Sequence, residues 1–232
     1  MSFAALVIHN RGGESGCVAD NGFCPSWIAD NWHRYTHPFW QHVYLTTIAV
    51  VIGFLIAAAL ALVAHRRRWL ITPITTATGI MYTIPSLSLF FLLQPLTGRG
   101  NMTALIALVS YTLLIIFRNV LAGLDNVAPE TRDAARGLGL TERQLLWQVE
   151  LPLALPEIIA GLRVASTSTV GLATLAFFAG AGGLGGSIFA DLNFKSNVIV
   201  AGGLCVVLAV ALDLLILGAQ RWLTPWRRAV PG

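Results

Sequence analysis

Five long apolar runs, each close to the length of a membrane-spanning helix, constrain this chain more than any other feature. They cover roughly residues 43–64, 71–96, 102–117, 153–178 and 198–219. A helix needs about 20 apolar residues to cross the hydrocarbon core of a bilayer. Of the 232 residues, 56% are hydrophobic and only 11% are charged, whereas soluble domains are about a quarter charged. The sequence therefore predicts an all-α polytopic membrane protein with about five transmembrane helices.

Arginine residues set the predicted orientation of these helices. When successive loops are placed on alternate sides of the membrane, most arginines fall on one side: Arg66, Arg67, Arg68, Arg118, Arg132, Arg136, Arg143, Arg221, Arg227 and Arg228. The basic residues on the other side are Arg11, Arg34, Arg99 and Lys195. Short loops rich in arginine stay in the cytoplasm, so we expect the amino terminus outside and the carboxyl terminus in the cytoplasm. The net charge of +4 then faces lipid headgroups, and it does not indicate a nucleic-acid partner.

The apolar runs divide the chain into three parts. Residues 1–40 form an extracytoplasmic or interfacial tail, residues 41–220 form the transmembrane domain, and residues 221–232 form a cytoplasmic tail. Aromatic residues gather around the end of the first part: Trp27, Trp32, Tyr35, Phe39, Trp40 and Tyr44. They are typical of an interfacial segment at headgroup depth, and an aromatic cage for a cationic substrate is the alternative. Cys17 and Cys24 share this tail, so an oxidising compartment would allow them to form a disulfide.

Polar groups within the second and fourth spans are candidates for lining a transport pathway: Tyr82, Thr83, Pro85, Ser86, Ser166, Thr167, Ser168 and Thr169. Pro85 removes a helical hydrogen bond and predicts a kink that would serve as a gate. The alternative for the hydroxyl groups is helix packing. Asp213 is an acidic residue well inside an apolar span. It is either a functional carboxylate, attracting a cation or carrying a proton, or a structural one that pairs within the bundle.

The polar segment between the third and fourth runs, about residues 126–152, has the most informative pattern. It contains Asp133-Ala134-Ala135-Arg136-Gly137-Leu138-Gly139 and, after nine residues, Val149-Glu150-Leu151-Pro152. This pattern predicts a short amphipathic helix, a turn at Gly139, where glycine tolerates unusual backbone angles, and a second short helix that ends at Pro152. Thr141 and Gln144 predict a capping box for the second helix.

The second predicted helix also carries an apolar patch formed by Leu145, Leu146 and Val149. Two roles fit such a helix–turn–helix. It caps the inner face of the bundle, or it docks on a partner protein.

The order acidic-Ala-Ala-x-x-x-Gly, nine residues, aliphatic-x-Leu-Pro resembles the EAA motif of bacterial ABC importer permeases. Asp133 stands where glutamate is usual, and Val149 stands where isoleucine is usual. The resemblance implies the type I ABC importer permease fold, in which this segment is a coupling helix that docks on the ATP-binding subunit. We therefore call residues 126–152 the coupling loop. The residues that the resemblance assigns to ATPase coupling are Asp133, Ala134, Ala135, Gly139, Val149, Leu151 and Pro152.

Three further stretches, residues 32–38, 82–87 and 180–186, resemble the osmoprotectant branch of that family. This resemblance implies import of glycine betaine, carnitine, choline or proline. A permease for an amino acid such as methionine is the alternative within the family. The implied partners are an ABC ATPase, an extracytoplasmic substrate-binding protein and a second permease chain, identical or paralogous, in the bacterial plasma membrane.

The sequence lacks the phosphate-binding glycine loop of an ATPase. A nucleotide-binding subunit needs a glycine loop ending in Gly-Lys-Ser/Thr, whereas Lys195-Ser196 follows Phe194. We expect ATP and Mg to be bound by the partner ATPase, with no cofactor, metal or enzymatic activity in this chain. A secondary transporter or channel is the rival class, and it would predict inverted repeats and several ionisable residues near the membrane midplane.

Overall fold

The computed structural model describes residues 16–225. Within that part of the chain the α-helices are α1 Pro25–Asp30, α2 His33–Arg66, α3 Ile71–Thr83, α4 Ser86–Thr97, α5 Asn101–Asp125, α6 Pro129–Gly137, α7 Glu142–Leu145, α8 Leu151–Ala173, α9 Leu184–Ala190 and α10 Lys195–Leu223. Short 3₁₀-helices occupy Gly16–Val18, Arg68–Leu70 and Ala176–Ala179. A π-helical segment covers Leu146–Glu150. Of the arginines used above for orientation, Arg11, Arg227 and Arg228 lie outside the described residues.

In the described part of the chain, four helical segments are long and apolar enough to cross a membrane. They are α2, α5, the segment Glu142–Ala173 and α10. Helix α3, together with the preceding 3₁₀-turn, and α4 meet the same criterion only as a pair. With that pair counted as one span, the structure has the five spans that the apolar runs predict.

The second span is broken at Pro85 instead of being kinked within one helix. Helix α3 ends at Thr83 and α4 begins at Ser86. Between them Ile84 is extended, with φ −64° and ψ 128°, because a residue that precedes proline is forced out of the helical region. The carbonyl of Ile84 accepts a hydrogen bond from the Tyr111 hydroxyl, which satisfies a backbone group that lies outside both helices.

The first span begins earlier than the apolar run predicts. Helix α2 starts at His33, so it includes the last eight residues of the predicted tail, residues 33–40. The buried positions Tyr35, His42 and Leu45 are seven and three residues apart, and this helical spacing continues through the aromatic region. A helix of 34 residues is about 50 Å long, longer than the hydrocarbon core of about 30 Å. One end of α2 therefore extends beyond it.

The described chain divides into two compact units. The first comprises residues 16–48, 86–107 and 170–210, and the second comprises residues 49–85, 108–169 and 211–225. In the second unit, the small residues Ala57, Ala61 and Ala64 of α2 are fully buried. They belong to one hydrophobic cluster with Phe117 of α5 and Ile158 of α8. Small side chains at these positions allow helices to approach closely. The same cluster includes Leu146 of the coupling loop, so the loop packs on this core.

Candidate functional site

The turn at the tip of the coupling loop is a glycine-dependent helix cap. Gly139 has φ +83°, a left-handed conformation that side chains with a Cβ disfavour. The Gly139 amide donates to the Arg136 carbonyl at 2.9 Å, and the Leu140 amide donates to the Ala135 carbonyl at 3.2 Å. This pair of bonds is the Schellman motif, which ends a helix with glycine just after the cap. The predicted turn at Gly139 is therefore present, with a definite physical cause.

The second helix of the loop starts immediately after this turn. The Thr141 side chain accepts a hydrogen bond from the Gln144 amide, and the Gln144 side chain accepts one from the Thr141 amide. These two bonds form the predicted capping box. A helix stop followed within two residues by a helix start fixes the direction of both helices, because both sets of terminal backbone groups are satisfied.

An ion pair spans the turn on its exposed side. The Arg136 guanidinium contacts the Glu142 carboxylate, with Nε 3.0 Å from Oε1, and also lies 3.4 Å from Asp133. The hydrogen bond and charge of Glu142 raise the pKa of Arg136 above its ordinary value, so this side chain stays charged. Exposed pairs contribute little to stability. This pair instead determines which charged groups the exposed side of the turn presents to a partner.

The exposed residues of the tip form the surface available to a partner. Leu138 is 82% exposed, Ala134 and Gly139 are also exposed, and Ala135 is buried against the chain. Leu145 and Leu146 of the predicted apolar patch are buried as well. The patch therefore packs on the chain itself, and the apolar contact that the tip offers outward comes from Leu138.

The predicted stop at Pro152 is wrong. Helix α7 continues through the π-helical segment into α8 without interruption, and Pro152 is the second residue of α8. The Leu151 amide donates to the Leu146 carbonyl, one residue farther than in an α-helix. Such a wide turn relieves the crowding that proline causes, and proline has no amide hydrogen to leave unpaired. The loop therefore joins the fourth span directly.

A buried carboxylate within the second unit anchors the coupling loop to α2. Glu150 is 5% exposed. Its Oε1 lies 2.7 Å from Nε of Arg132, and its Oε2 lies 3.1 Å from Nε2 of His65. Arg132 Nη2 also donates to the Leu124 carbonyl at 2.6 Å. One side chain therefore connects α2, α6 and the π-helical segment, and a second ion pair, between Arg68 and Asp125 at 2.7 Å, lies beside it.

The sequence analysis did not identify this anchor. Glu150 stands inside the motif, two residues before its proline, but its role depends on His65, which is 85 residues away. The sequence offers only a weak sign of this contact. Glu150 lies just before one apolar run, and His65 lies just after another. Of the residues assigned to coupling by resemblance, Asp133 is exposed, whereas Val149, Leu151 and Pro152 are half-buried near the anchor.

The first unit holds the tail and the glycine stretch together. Cys17 and Cys24 form a disulfide. The Ser196 hydroxyl accepts a hydrogen bond from the Cys24 amide at 2.7 Å. Gly182 and Gly183 have positive φ values and lie against Gln41, whose side-chain amide donates to the Ala181 carbonyl. The glycines therefore form a tight turn packed on α2.

The aromatic side chains of the tail do not all converge on one point. Trp27 and Tyr35 line a hollow of about 580 Å³ in the first unit. Trp27 packs edge-on against Phe194, with Arg34 lying 5.4 Å from its ring centre. Trp40 is on an exposed part of α2 and does not line this hollow. These aromatic residues therefore do not share one hollow, and the two that line it are the candidates for ligand contact.

Four of the pathway candidates, Thr83, Ser166, Thr167 and Thr169, donate their hydroxyl groups to their own helices. Ser166, Thr167 and Thr169 donate to backbone carbonyls four residues earlier, at 2.7–3.0 Å. Thr83 donates to the Ile80 carbonyl at 2.8 Å. Tyr82 stacks edge-on with Tyr111 at 5.8 Å. These contacts place the candidates in the second unit, with the exception of Ser86, which begins α4 in the first unit.

The acidic residue inside the fifth span pairs with an arginine inside the fourth. Arg163 Nε and Nη2 each donate to one oxygen of Asp213 at 2.7 Å. Such two-point contacts between guanidinium and carboxylate are strong and directional. The structure therefore gives Asp213 the pairing contact that the structural interpretation predicts, and it supplies the partner, Arg163, that the sequence analysis left unassigned.

Asp213→Asn should lower the thermal stability of the purified protein, because Arg163 would keep its charge within a membrane span without a counterion. The double variant Arg163→Gln, Asp213→Asn should recover part of the loss. Thermal unfolding in detergent measures both. Unchanged stability of Asp213→Asn together with altered transport would instead support the functional interpretation of this carboxylate.

Comparison with known proteins now decides the family. Residues 49–229 match the family described as binding-protein-dependent transport system inner membrane component. The chain belongs to this family. It is therefore a multi-pass inner-membrane subunit of a transport system, and membership implies a substrate-binding protein and an ATPase as partners.

Several curated relatives align over most of their length. The choline transport system permease protein OpuBB of Bacillus subtilis is 37% identical, over 80% of this chain and 87% of that protein. The osmoprotectant import permease protein OsmW of Salmonella typhimurium is 38% identical, over 80% and 89%. The glycine betaine/carnitine/choline transport system permease protein OpuCB of Bacillus subtilis is 35% identical, over 80% and 86%.

Solved structures confirm the fold. A chain of the MetNI methionine ABC transporter in an inward-facing conformation superposes with a TM-score of 0.68 at 23% identity, covering 85% of this chain and 96% of that one. A chain of an amino acid ABC transporter gives a TM-score of 0.63 at 19% identity, covering 82% and 96%. Identities this low show a shared ABC importer permease architecture and do not bear on substrate.

Proposed function

We propose that this chain is the transmembrane permease subunit of an ATP-driven importer of small osmoprotectants. In this proposal the coupling loop docks on a separate ATPase. The observation that carries it is the exposed tip of the loop, in which a glycine cap and a capping box hold Leu138 and Ala134 in a fixed position at the surface. A rigid, exposed tip of small and apolar residues suits insertion into a groove on another protein.

The proposed assembly contains two permease chains, identical or paralogous, with one ATPase docked on each. ATP and Mg would be bound by the ATPases, and the chain itself would hold no cofactor. The arginine distribution supports placing the coupling loop in the cytoplasm and the disulfide-bonded tail outside, where a binding protein delivers substrate. Closure of the ATPases would move the two loops and bias the permease between two conformations.

The substrate class is inferred from the relatives, whose names specify choline, glycine betaine and carnitine. These three compounds carry a quaternary ammonium group, which binds aromatic faces through cation–π attraction. Trp27 and Tyr35 line the hollow in the first unit. Tyr35 is only 2% exposed, so the Trp27 ring, beside Arg34, is the aromatic face that we propose for contact with such a substrate.

The proposal is tested by ATPase activity in lipid nanodiscs that contain the chain, its ATPase and its binding protein. Glycine betaine, choline, carnitine and methionine are supplied in turn. Stimulation by the quaternary ammonium compounds is expected. Stimulation by methionine alone would overturn the substrate assignment, and failure to assemble with any ATPase would overturn the importer function.

The coupling role of the loop predicts a position-specific effect of valine at two neighbouring glycines. Gly139→Val should reduce substrate-stimulated ATPase activity about tenfold, because a β-branched residue at φ +83° costs about 1–2 kcal/mol and reorients the tip. Gly137→Val is the matched control. Gly137 is in the same exposed loop, has no positive φ and has open space around it. Equal activity of the two variants would contradict the coupling role of this turn.

A further inference from the structure

A basic cleft in the second unit is lined by the end of α2 and by the coupling loop. Its volume is about 660 Å³, and its cationic lining is formed by Arg66, Arg68, Arg132, Arg136 and Arg143. Two carboxylates, Glu142 and Glu150, also line it. With His65 counted as neutral, five positive charges against two negative ones leave the lining at +3. Such a lining attracts an anion.

Two of these arginines, Arg66 and Arg143, are not engaged in an ion pair within the described residues. Arg68, Arg132 and Arg136 each contact a carboxylate within 3.0 Å. Among the ion pairs of the described residues, none involves Arg66 or Arg143. Both side chains are exposed. An incoming anion therefore meets two free guanidinium groups without breaking an existing pair.

An apolar groove of about 320 Å³ borders the same part of the second unit. One wall of the groove is the face of α2 that carries Phe54, Ala58 and Leu62. These residues are four apart, and the next position in the series is Arg66. Residues at this spacing lie on one helix face, so a continuous stripe on α2 runs from the apolar groove into the basic cleft.

The opposite wall shows the same change from apolar to basic. Leu146 lines the cleft, whereas Trp147 and Leu151 line the groove. Trp147 is 57% exposed, as expected for an aromatic residue at headgroup depth. Arg66 lies two residues after the first apolar run ends at Ala64, so it also stands close to where a hydrocarbon crossing ends.

We propose that the cleft and groove together bind one anionic phospholipid, with its phosphate on Arg66 and Arg143 and an acyl chain along Phe54, Ala58 and Leu62. Guanidinium groups recognise phosphate oxygens by charge and by paired hydrogen bonds. The apolar groove distinguishes a lipid from a free phosphate, which would use the cleft alone. The lipid would then contact both the first span and the coupling loop.

The test measures binding of phosphatidylglycerol to the full-length chain purified in detergent, by native mass spectrometry and by titration. Phosphatidylcholine and glycerol phosphate are compared as probes. Tighter binding of phosphatidylglycerol than of either is expected. Equal binding of phosphatidylglycerol and phosphatidylcholine would overturn an anion-selective site. Equal binding of phosphatidylglycerol and glycerol phosphate would overturn the lipid assignment in favour of a free anion.

Variants separate the two parts of the site. The double variant Arg66→Gln, Arg143→Gln should weaken phosphatidylglycerol binding roughly twentyfold. The control Arg67→Gln, Arg118→Gln removes the same charge from the second unit outside the cleft and should bind normally. Ala58→Phe should block the groove and weaken lipid binding while sparing glycerol phosphate.

Equal weakening by the two double variants would show that charge alone attracts the lipid, and that result would overturn the site. A normal affinity of Ala58→Phe for phosphatidylglycerol would overturn the acyl-chain assignment. Both double variants leave the described ion pairs intact, and their thermal unfolding verifies that the chain is folded. The measurements require neither ATPase nor substrate, so they stand apart from the proposed import function.

Discussion

Replacing Glu150 with alanine is expected to lower the free energy of unfolding by about 3–5 kcal/mol. Glu150 is buried and contacts both Arg132 and His65. Its removal leaves the Arg132 guanidinium charged and largely enclosed without its carboxylate. Thermal or denaturant-induced unfolding of the purified chain measures the loss. Reduced coupling of ATPase activity to substrate should accompany it, because the same carboxylate ties the loop to α2.

Two control variants test whether the buried charge causes the expected loss of stability. Glu142→Ala removes a carboxylate of the same loop whose ion pair is exposed, and it should leave stability nearly unchanged. The double variant Arg132→Leu, Glu150→Leu should be more stable than Glu150→Ala, since replacing both partners leaves no buried charge. If Glu150→Ala and Glu142→Ala unfold alike, the anchor does not stabilise the loop.

Alanine at Gly185 is expected to destabilise the first unit by about 1–3 kcal/mol or more, because it overpacks a contact between two backbones. A Cβ at this position would lie 1.8 Å from the Thr174 carbonyl oxygen and 2.6 Å from its carbon. Backbone atoms cannot rotate away as a flexible side chain does, so α9 would have to shift. A lower unfolding temperature and a lower yield of folded protein in membranes are the expected results.

Gly186→Ala is the matched control. Its Cβ would meet only Phe177, at the ordinary contact distance of 3.7 Å. Both variants replace a helical glycine with the same residue, so any gain in helix propensity is shared. A smaller loss at Gly186 isolates the steric effect at Gly185. The same loss at both positions would show that the backbone contact does not limit stability.

The sequence predicted the helical class, four of the five spans and the local structure of the loop tip because each of these depends on neighbouring residues. Apolar runs report spans directly. The break at Gly139 and the capping box at Thr141 and Gln144 follow from residues within a few positions of one another. The family was indicated by a resemblance, and the motif that carries it, from Asp133 to Pro152, also lies within one loop.

The features that were not predicted from the sequence depend on contacts between residues far apart in the chain, or on tertiary packing that overrides a local preference. The contacts of Glu150 with His65 and of Arg163 with Asp213 join residues 85 and 50 positions apart. Composition does not show where α2 begins, because its first turns are rich in polar residues. Only the burial of residues at helical spacing, such as Tyr35 and His42, identifies these turns as part of the helix. Pro152 suggested a helix end, but the preceding π-helical turn accommodates it.

The unbroken path from α7 through the π-helical segment to α8 has a mechanical consequence. The 32 residues from Glu142 to Ala173 are helical throughout, and the π-helical segment and Pro156 lie within them. Prolines and π-helical turns are the places where long helices bend. A movement of α7 therefore reaches the fourth span through hydrogen-bonded helix, and these two places are where we expect that helix to bend when the loop moves.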